Sequence, residues 1–597
     1  MAGLVCVEDT PEEGDLVVAI DFGTSRTAVA YTIVVEGDNE VVNVLTISGA
    51  GGFVRNDYKT PTSVLIQNGE VLSFGYSAQE LFVEEEREPS PDWLLFKCFK
   101  MTLHKPFQDD PCVECFGGGH KKRLSFVLQK CLEYIKRDVM SQLELMGLLQ
   151  DPDPTKLFWI LTIPAIWSDH AKFVMRTAAF KAGIIGAVES SHLHLALEPE
   201  CAAIATQADQ TQQSLWSVGT KFLVADCGGG TLDITTHEIV RKSPLRLKEL
   251  LLPAGGPMGA TLIDKNFLDF FATLVGKERF KRFEHDDPAG YESLLKQWEE
   301  KKVMFQFKES QTGWTKLRVV DVVHKMGITG EFASLIDAWN AANPRTPVEA
   351  LKDRKVKLAL SYNLMKSFYE HPVASVVEKV GATAAACEGL NDVILAGGFS
   401  RCGLLQQEMK KRFEATSVRV VVANDPDLTI VKGAALFGAG PVDPIIIRKS
   451  KYTFGIGASR VYNPDDAEHQ RNRGAVFVGI DGKERLDVFS VHGRVGDDLD
   501  VAKPKRRCYT PVNDDQKSCR IAILVTKRYH VLLEKEEGVQ ELAVTSVPFD
   551  MKQPFRDRQV FVEFSFGGPE VRCLFYGSTG EEQVGTPLPI KFNFFQS

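Results

Sequence analysis

The sequence predicts an α/β region followed by an all-β region, and two observations support this prediction. Between residues 16 and 440, short apolar runs rich in β-branched residues alternate with segments whose apolar residues recur at helical spacing, the order typical of α/β folds. Beyond residue 452, paired short runs alternate apolar and polar residues, which is typical of antiparallel strands. We therefore expect a disordered tail over 1–15, an α/β domain over 16–440, a linker over 441–451 and a β-rich domain over 452–597.

Within the α/β region, three consecutive segments show the alternation clearly. Residues 125–149 have the spacing of an amphipathic helix, and residues 157–167 form a very apolar run that predicts a buried strand ending at Pro164. The next segment, 169–183, predicts a helix with Asp169 as its N-cap and Gly183 at its end.

The C-terminal region predicts a β-sandwich. Apolar residues at 560, 562, 564 and 566 share one face of a strand, a Gly-Gly-Pro turn follows at 567–569, and apolar residues at 571, 573 and 575 share one face of the return strand. Segments 519–535 and 541–549 predict further strands. No helix is predicted between this hairpin and Ser597, so we expect no helical lid.

Composition narrows the function classes. The chain has 597 residues and a formal net charge of -9, which disfavours a nucleic-acid partner because such proteins usually carry a basic face. No run reaches 18 uninterrupted apolar residues, so no membrane span is expected. The acidic N-terminus lacks the features of a secretory signal, and the 12 cysteines are scattered, which predicts reduced thiols in a cytoplasmic or nuclear protein.

One cysteine pair forms a CxxC motif. Cys112 and Cys115 lie close to His120, and a zinc clip is conceivable. A single pair without a partner pair is weak evidence for zinc, and a surface insertion is the favoured interpretation.

A glycine-rich motif occurs twice in related form. Residues 222–239 read FLVADCGGGTLDITTHEI, and residues 16–34 read LVVAIDFGTSRTAVAYTIV. In both, an apolar strand ends at an aspartate (Asp21 or Asp226), a glycine-containing turn follows, and a second strand begins. The matched copies predict an internally duplicated domain with one hairpin in each half.

These turns have the chemistry of phosphate binding. Successive glycine N–H groups can face one concavity, and no Cβ blocks a phosphate. Hydroxyls of Thr24, Ser25 and Thr231 add donors, while Asp21 and Asp226 are placed to hold a hydrated Mg²⁺. Two such hairpins would clamp a nucleoside triphosphate, without the GxxxxGK[ST] sequence of P-loop proteins. The alternative is that each glycine cluster is only a hairpin turn.

A third element follows the same logic. Residues 392–413 predict a strand, a turn at Gly397 and Gly398, and an amphipathic helix. A helix N-terminus after two glycines suits the sugar or α-phosphate of a nucleotide, although this connection is common in α/β folds.

Taken in order, these motifs resemble the superfamily of actin, sugar kinases and 70-kDa heat-shock ATPases. IDFGTS (20–25) looks like the first phosphate motif, DCGGGTLD (226–233) like the second, and LAGGFSR (395–401) like the adenosine motif. Intervening segments, among them LTIPAIWSD (161–169) and LEPECAAIA (197–205), resemble the heat-shock branch. Segments such as DWLLFKCFKM (92–101) and AGGPMGATLID (254–264) resemble its divergent member-12 subfamily.

The resemblance implies a fold and roles for individual residues. It implies a duplicated actin-like (ribonuclease H-like) ATPase domain whose two lobes flank a nucleotide cleft, with ATP or ADP and Mg²⁺ as cofactors. It implies that Asp21 and Asp226 bind the metal through water, and that Glu198 and Lys100 act in catalysis together with Asp226 and Thr231. The two turns would bind phosphate, and further residues would bind the nucleoside. The residues implied for the phosphate and nucleoside roles are Gly23, Thr24, Ser25, Gly228, Gly229, Gly230, Thr231, Gly259, Glu299, Lys302, Gly397, Gly398, Phe399, Arg401 and Asp427.

Some of these assignments have rivals. Lys97 competes with Lys100 for the catalytic position, and the register at Glu299 and Lys302 is open by one residue. Pro164 and Lys172 match the relay positions between the nucleotide and the linker. Positioned charges suffice chemically for phosphoryl transfer.

The chain also departs from the standard chaperone pattern. Phe399 stands where a small hydroxyl residue is usual, and the linker PIIIRKSK (444–451) lacks acidic residues. Cys227 lies between the metal aspartate and the phosphate loop, where we favour a small strand residue over an oxidisable brake on nucleotide binding.

Three functions remain open at this point. The first is an ATP-binding heat-shock-like protein that hydrolyses ATP slowly and couples its nucleotide state to a β domain that binds client or signalling proteins, with co-chaperones as further partners. The second is a nucleotide-dependent scaffold with negligible turnover. The third is a sugar or metabolite kinase, which the all-β tail and the chaperone-like segments disfavour.

Overall fold

The computed structural model describes residues 10–35, 41–47, 57–83, 92–104, 110–149, 151–209, 211, 216–307, 313–353, 355–440, 443–565 and 571–577, apart from the side chains of 351–356 and 572. In these ranges no helix is long and apolar enough to cross a membrane.

The helices mostly place an apolar face against a sheet or another helix, as their periodicity predicts. In chain order they are Tyr76–Val83 (α1), Leu124–Leu145 (α2), Asp169–Lys181 (α3), Glu198–Ala208 (α4), Thr261–Val275 (α5), Lys277–Asp286 (α6), Pro288–Met304 (α7), Val320–Lys325 (α8), Phe332–Ala342 (α9), Tyr362–Ala386 (α10), Gly403–Phe413 (α11), Thr429–Ala439 (α12) and Ala467–Arg471 (α13).

The first mixed sheet contains the N-terminal hairpin. Its strands are Leu16–Phe22 (β1), Arg26–Ile33 (β2), Asn43–Leu45 (β3), Lys59–Pro61 (β4), Phe158–Ile163 (β5) and Leu193–Leu197 (β6). Their order is β6-β5-β1-β2-β3, with β4 also paired to β2. β1 and β2 are antiparallel, whereas β1, β5 and β6 are parallel. Every residue of β1 and β5 is buried, as expected for parallel strands covered on both faces.

The second mixed sheet contains the triple-glycine hairpin. Its strands are Lys221–Cys227 (β7), Leu232–Arg241 (β8), Arg246–Glu249 (β9), Ala254–Gly256 (β10), Asp392–Ala396 (β11), Arg419–Val422 (β12), Ile445–Lys449 (β13) and Asp498–Asp500 (β14). Their order is β12-β11-β7-β8-β9-β13-β14, with β10 paired to β8. In both sheets, therefore, an antiparallel hairpin is extended on the side of its first strand by two parallel strands.

Helices α4 and α12 connect the two sheets through one apolar core. This core contains Val17 and Ala19 of β1, Phe222 and Val224 of β7, and small residues of both helices. Gly433 of α12 lies so close to α4 that an added Cβ would overlap the carbonyl of Cys201. The helices thus bring the two hairpins towards each other.

Smaller sheets surround these two. They are a three-stranded sheet of Ser63–Gln67, Glu70–Phe74 and Trp93–Lys97, a hairpin of Cys112–Glu114 and Lys121–Arg123, and a three-stranded sheet of Trp314–Arg318, Val348–Asp353 and Lys355–Ser361.

Beyond residue 452 the described chain is mostly strand. One sheet contains Phe477–Val478, Glu484–Gly493, Thr453–Val461, Ser518–Thr526 and Gln540–Pro548, and a second contains Lys505–Tyr509, Val560–Ser565 and Arg572–Tyr576. The two sheets share an apolar core. The predicted hairpin is present, since Val560–Ser565 pairs with Arg572–Tyr576, while Phe566 and the turn at 567–569 lie outside the described residues.

Two local predictions need correction. Ser168, not Asp169, caps α3, because the Ser168 side chain accepts a hydrogen bond from the backbone N–H of Ala171. Part of the predicted linker, Ile445–Lys449, is a regular strand, because it pairs with β9 on one side and β14 on the other. Residues 445–449 of the predicted linker are therefore part of the second mixed sheet.

Candidate nucleotide site

The turns of the two hairpins touch each other, and this explains two of the three glycines. A Cβ on Gly229 would overlap the side chain of Ser25, and a Cβ on Gly230 would lie 2.7 Å from Thr24 Oγ1. Any larger residue at either position would push the turns apart, because a Cβ closer than about 3 Å to another heavy atom must displace it.

The N-terminus of α5 holds the glycine turn from behind. Backbone N–H groups of Gly259, Ala260 and Thr261 donate to the carbonyls of Gly230, Gly228 and Gly229 at 3.2, 3.1 and 2.9 Å. A Cβ on Gly259 would overlap the backbone of this turn. Gly259, predicted for the nucleoside end, thus lies directly against the predicted phosphate turn.

Four buried carboxylates line the space beside the turns. Asp21, Glu198 and Asp226 were predicted, and Asp233 joins them; their residues are between 0% and 6% exposed. Sequence reasoning missed Asp233, although a signal existed: in the hairpin it lies directly opposite Asp226, and opposite residues of an antiparallel pair share a face.

Two lysines enter this cluster. Lys100 Nζ lies 3.0 Å from Glu198 Oε1, with both side chains buried, and Lys59 Nζ lies 2.8 Å from Asp21 Oδ2. Lys97, the rival of Lys100, instead pairs with Glu292 of α7 at 2.6 Å. The geometry therefore favours Lys100 as the residue that faces Glu198. Lys59 is a second residue that sequence reasoning missed.

The cluster is short of positive charge. Burial raises the pKa of Glu198 to about 7; Lys100 opposes this shift, and Asp233 and Asp21 add to it. Burial, followed by the charge of Glu198, raises the pKa of Asp226 well above its ordinary value, and burial likewise raises the pKa of Asp233. Burial acts to lower the pKa of Lys59, but the close contact with Asp21 and the charges of Asp21, Asp427 and Asp226 together outweigh it, and the pKa is raised.

Three oxygens of the cluster lack a hydrogen-bond partner: Asp21 Oδ2, Asp226 Oδ1 and Asp233 Oδ2. Asp21 Oδ2 forms the ion pair with Lys59, and Asp21 Oδ1 accepts from Thr162 Oγ1 at 3.1 Å, so the oxygens of Asp226 and Asp233 are the ones with neither kind of partner among the described residues. Unpaired buried carboxylate oxygens fit a divalent cation, because Mg²⁺ takes hard oxygen ligands and usually keeps several waters. Within the described ranges no three His, Cys, Asp or Glu side chains converge as direct metal ligands.

The predicted adenosine motif meets the same cluster. Gly397 has a positive φ of 77°, and an added Cβ there would overlap Asp226 Oδ1. A Cβ on Gly398 would lie 2.9 Å from Asp427 Oδ1, and Asp427 forms an ion pair with Arg401. The ring of Phe399 is buried in the apolar core of the second sheet, so it supports the motif from inside, and its contact with a base remains a prediction.

The predicted adenine residues lie on α7. Lys302 forms ion pairs with Glu299 and, at 2.8 Å, with Asp264 of α5. Trp298 Nε1 donates to the same Asp264 carboxylate at 2.7 Å, and Glu299 also lies 3.7 Å from Arg26 of the first hairpin. The register at Glu299 and Lys302 stays a prediction.

Cys115 of the CxxC motif and Cys227 are both buried. Cys115 Sγ donates to the carbonyl of Gly118 at 3.0 Å, and the neighbouring Phe116 stacks on Tyr291 of α7 with ring centres 5.1 Å apart. Cys227 is fully buried, and burial raises its pKa. Because the thiolate is the reactive form, this supports the interpretation of Cys227 as a small strand residue.

A short turn connects the carboxylate cluster to the segment before residue 452. The backbone N–H of Ile166 donates to Asp233 Oδ1 at 3.1 Å, and the adjacent carbonyl of Ala165 accepts from Lys451 Nζ at 2.7 Å. Pro164, predicted as a relay position, begins this turn. Lys172, the other predicted relay residue, pairs with Asp169 at 2.6 Å.

A buried ion pair holds β13 against α4. Arg448 donates two hydrogen bonds to Glu200, at 2.6 and 3.1 Å, and a third to Asp443 at 3.2 Å. The backbone N–H of Lys449 donates to Glu249 Oε2 at 2.6 Å. Glu200 is two residues from Glu198, so α4 contacts both the carboxylate cluster and β13.

Comparison with known proteins tests the resemblance that the sequence motifs predict. No family model matches the chain, but curated relatives cover nearly all of it. The predicted resemblance is confirmed: over about 90% of its length the chain is similar to proteins of the member-12 subfamily of 70-kDa heat-shock proteins.

The relatives include two human heat-shock proteins and a bacterial chaperone. Human heat shock 70 kDa protein 12B is 26% identical over 628 residues, which covers 93% of this chain and 88% of that protein. Human heat shock 70 kDa protein 12A is 27% identical over 590 residues, with 88% and 84% covered. Chaperone protein dnaK1 of Prochlorococcus marinus is 26% identical over 280 residues, with 46% of this chain and 35% of that protein covered.

Proposed function

We propose that the protein binds Mg-ATP between its two facing hairpins, hydrolyses it slowly, and couples its nucleotide state to a C-terminal β domain that binds other proteins. The contact of Gly229 with Ser25 and of Gly230 with Thr24 carries this proposal. It brings two anion-binding turns together beside a cluster of buried carboxylates, and a nucleoside triphosphate with a hydrated cation complements both.

The proposal includes a duplicated, two-lobed nucleotide domain. It is supported by the shared arrangement of the two mixed sheets, in each of which two parallel strands extend a hairpin next to its first strand. The helices α4 and α12 between the sheets are the natural hinge, because they contact both.

Each residue of the site then has a defined task. Asp226 and Asp233, which carry the unpaired oxygens, would hold the hydrated Mg²⁺, whose charge offsets that of the phosphates. Thr24, Ser25, the glycines 228–230 and Thr231 would bind phosphate oxygens. Glu198 would orient the attacking water, and Lys100, held by Glu198, would stabilise the charge on the transferred group.

Coupling to the β region follows from the turn at 164–166. In this turn the N–H of Ile166 donates to Asp233 in the cluster, and the carbonyl of Ala165 accepts from Lys451, which follows β13. A shift of Asp233 on nucleotide binding would therefore reach Lys451 through one rigid turn. We propose client or signalling proteins as partners of the β region, and the cytoplasm or nucleus as the place of action.

The test is nucleotide binding and turnover by the full chain. We expect calorimetry to show Mg-ATP binding, and phosphate release to be slow but faster than in the Asp226→Asn and Glu198→Ala variants. Glu198→Ala should bind ATP while losing turnover, because it removes the water-orienting group and keeps the phosphate turns.

A nucleotide-dependent scaffold is the second candidate, and one observation favours it. With a pKa of about 7, Glu198 is partly protonated at neutral pH, and a protonated carboxyl cannot accept a proton from water. If the wild type binds ATP but releases phosphate no faster than the two variants, the scaffold is correct. If it binds no Mg-ATP, both proposals fail.

A further inference from the structure

A lysine occupies the side of the cluster where a metal ion would be expected. Asp21 was predicted to bind Mg²⁺, yet its carboxylate already contacts the ammonium of Lys59 and the hydroxyl of Thr162. Asp21 Oδ2 has this ion pair in place of a hydrogen bond, whereas Asp226 Oδ1 and Asp233 Oδ2 have neither among the described residues.

The sheet register puts Lys59 there. Asp21 of β1 lies opposite Ala28 of β2, and Ala28 lies opposite Lys59 of β4. The three residues form one row across the sheet, so their side chains share a face. Two strand spacings separate the ends of the row by roughly 9.5 Å, and the long lysine side chain spans most of this distance to reach the carboxylate.

The ammonium is positioned for more than one partner. Its side chain is 13% exposed and the Asp21 side chain 3%, so the pair is largely shielded from water. An ammonium has three N–H donors, and the contact of Lys59 with Asp21 is an ion pair with one carboxylate oxygen. Two strands of the row, β1 and β2, flank the first predicted phosphate turn, Gly23 to Ser25.

We propose that Lys59 is a built-in cation of the nucleotide site, which binds phosphate oxygens of a nucleoside di- or triphosphate and reduces the dependence of binding on divalent metal. This inference rests on the proposed nucleotide-binding function and adds a residue to it. Lysine acts on phosphates as a point charge, and Lys59 supplies one beside Asp21, the aspartate that was predicted to bind Mg²⁺.

The competing explanation is an ion pair that serves only to neutralise Asp21. This explanation is consistent with the same fold and the same burial of the Lys59–Asp21 pair, but it assigns Lys59 no contact with a nucleotide. The two explanations differ in what happens when the metal is removed, because a phosphate-binding lysine then becomes the main remaining cation at the turn.

The experiment measures the Kd for ADP with saturating Mg²⁺ and with EDTA, by calorimetry on the full chain. The variants are Lys59→Met, which removes the charge and keeps the length, and Lys59→Arg, which keeps the charge. Lys130→Met is the matched control, because Lys130 of α2 is also buried but pairs with Glu70 and with Glu133 of the same helix.

We expect the wild type to keep measurable ADP binding in EDTA. Lys59→Met should weaken binding in EDTA by about tenfold or more, the effect of losing one good charge-assisted contact, and should weaken it less with Mg²⁺. Lys59→Arg should retain most of the binding in EDTA, and Lys130→Met should match the wild type.

Three results would overturn the inference while leaving the proposed function intact. They are an unchanged ratio of the two Kd values in Lys59→Met, an equal loss in Lys130→Met, or binding by the wild type with Mg²⁺ and none in EDTA. Absence of ADP and ATP binding under every condition would instead refute the proposed function itself.

A folding defect would not prevent the test. If thermal unfolding shows that Lys59→Met is unstable, the double variant Lys59→Met with Asp21→Asn removes both charges of the pair. We expect it to fold, because no buried charge is left without its partner, and to lose ADP binding in EDTA.

Discussion

At the scale of single residues, the buried carboxylates beside the hairpin turns oppose folding. Among the residues that the structure describes, the ion pairs of Asp21, Glu198, Asp226 and Asp233 are those with Lys59 and Lys100, and three of their oxygens have no hydrogen bond. Sites that bind a charged ligand often keep such unfavourable charge, because the ligand relieves it.

We therefore expect Asp226→Asn to stabilise the nucleotide-free protein. Removing one charge from the cluster should raise the free energy of unfolding by about 0.5–2 kcal/mol, as other substitutions that relieve functional strain do. Thermal unfolding without nucleotide measures this gain. Added Mg-ATP should then raise the melting temperature of the wild type and leave that of Asp226→Asn nearly unchanged.

The pH dependence of stability follows from the same carboxylates. Because the pKa of Glu198 rises from 4.5 to about 7 on folding, the folded chain holds a proton that the unfolded chain has lost in this window. Stability without nucleotide should thus fall as pH rises from 4.5 through about 7. Denaturant titrations across this range should show the decrease in the free energy of unfolding, with a shallower dependence on pH in Asp226→Asn. A wild-type free energy of unfolding that rises with pH would contradict an excess of negative charge in the cluster.

Gly259 offers a test of the close approach behind the predicted phosphate turn. Gly259→Ala would push a methyl group into the backbone of Gly229 and Gly230, and overpacking of this kind costs about 1–3 kcal/mol. Gly186→Ala is the control, since nothing lies within 4 Å of its added Cβ. Calorimetry and thermal unfolding should show reduced ATP affinity and stability for Gly259→Ala and no change for Gly186→Ala.

At the scale of elements, buried ion pairs of Arg448 hold strand β13 in place. Its Ile445 is fully buried, and the guanidinium of Arg448 is enclosed by Glu200 and Asp443. The contacts with Asp443 and above all Glu200 raise the pKa of Arg448 despite burial, which by itself would lower it. The guanidinium therefore stays charged.

Breaking this pair from one side should release the strand. Arg448→Met leaves Glu200 buried without its partner, which costs about 3–5 kcal/mol, and should expose residues 443–451 to limited proteolysis. The double variant Arg448→Met with Glu200→Met should recover much of the protection. Lys449→Met should behave like the wild type, because its ion pair with Asp498 is more exposed; equal cleavage of all three variants would argue against the role of Arg448.

Helix α7 provides a second comparison between a buried and an exposed ion pair. Lys97 pairs with Glu292, whose side chain is 1% exposed, whereas Lys296 pairs with Glu80 at 3.5 Å with side chains 35% and 24% exposed. Lys97→Met should lower the free energy of unfolding by about 3–5 kcal/mol, and Lys296→Met by at most about 1 kcal/mol. Denaturant unfolding distinguishes the two, and similar losses would contradict the burial argument.

At the scale of the whole molecule, the α/β and β-rich regions share a sheet. Strand β14, Asp498–Asp500, lies beyond the predicted boundary at residue 452 but pairs with β13 in the second mixed sheet. Lys248 of β9 and Lys449 of β13 both form ion pairs with Asp498. The two regions are therefore joined by backbone hydrogen bonds as well as by the chain.

A chain ending at residue 440 should suffer from this shared sheet. It would lose β13 and uncover the edge of β9, where Leu247 is fully buried in the intact protein, and an uncovered edge strand promotes pairing between chains. We expect a lower melting temperature and self-association by size-exclusion chromatography. A monomer as stable as the full chain would show that β13 and β14 are dispensable for the α/β region.

The sequence by itself was sufficient to predict the two hairpins, the strand–helix alternation and the C-terminal strands. These depend on apolar periodicity and turn residues within a few positions of each other. It could not choose between Lys97 and Lys100 or find Lys59 and Asp233, because the pair of Lys100 with Glu198 spans 98 residues. Only the register and packing of distant strands bring such groups together, and so the tertiary structure decided which charges meet, that β13 is a strand, and where the cluster lacks a cation.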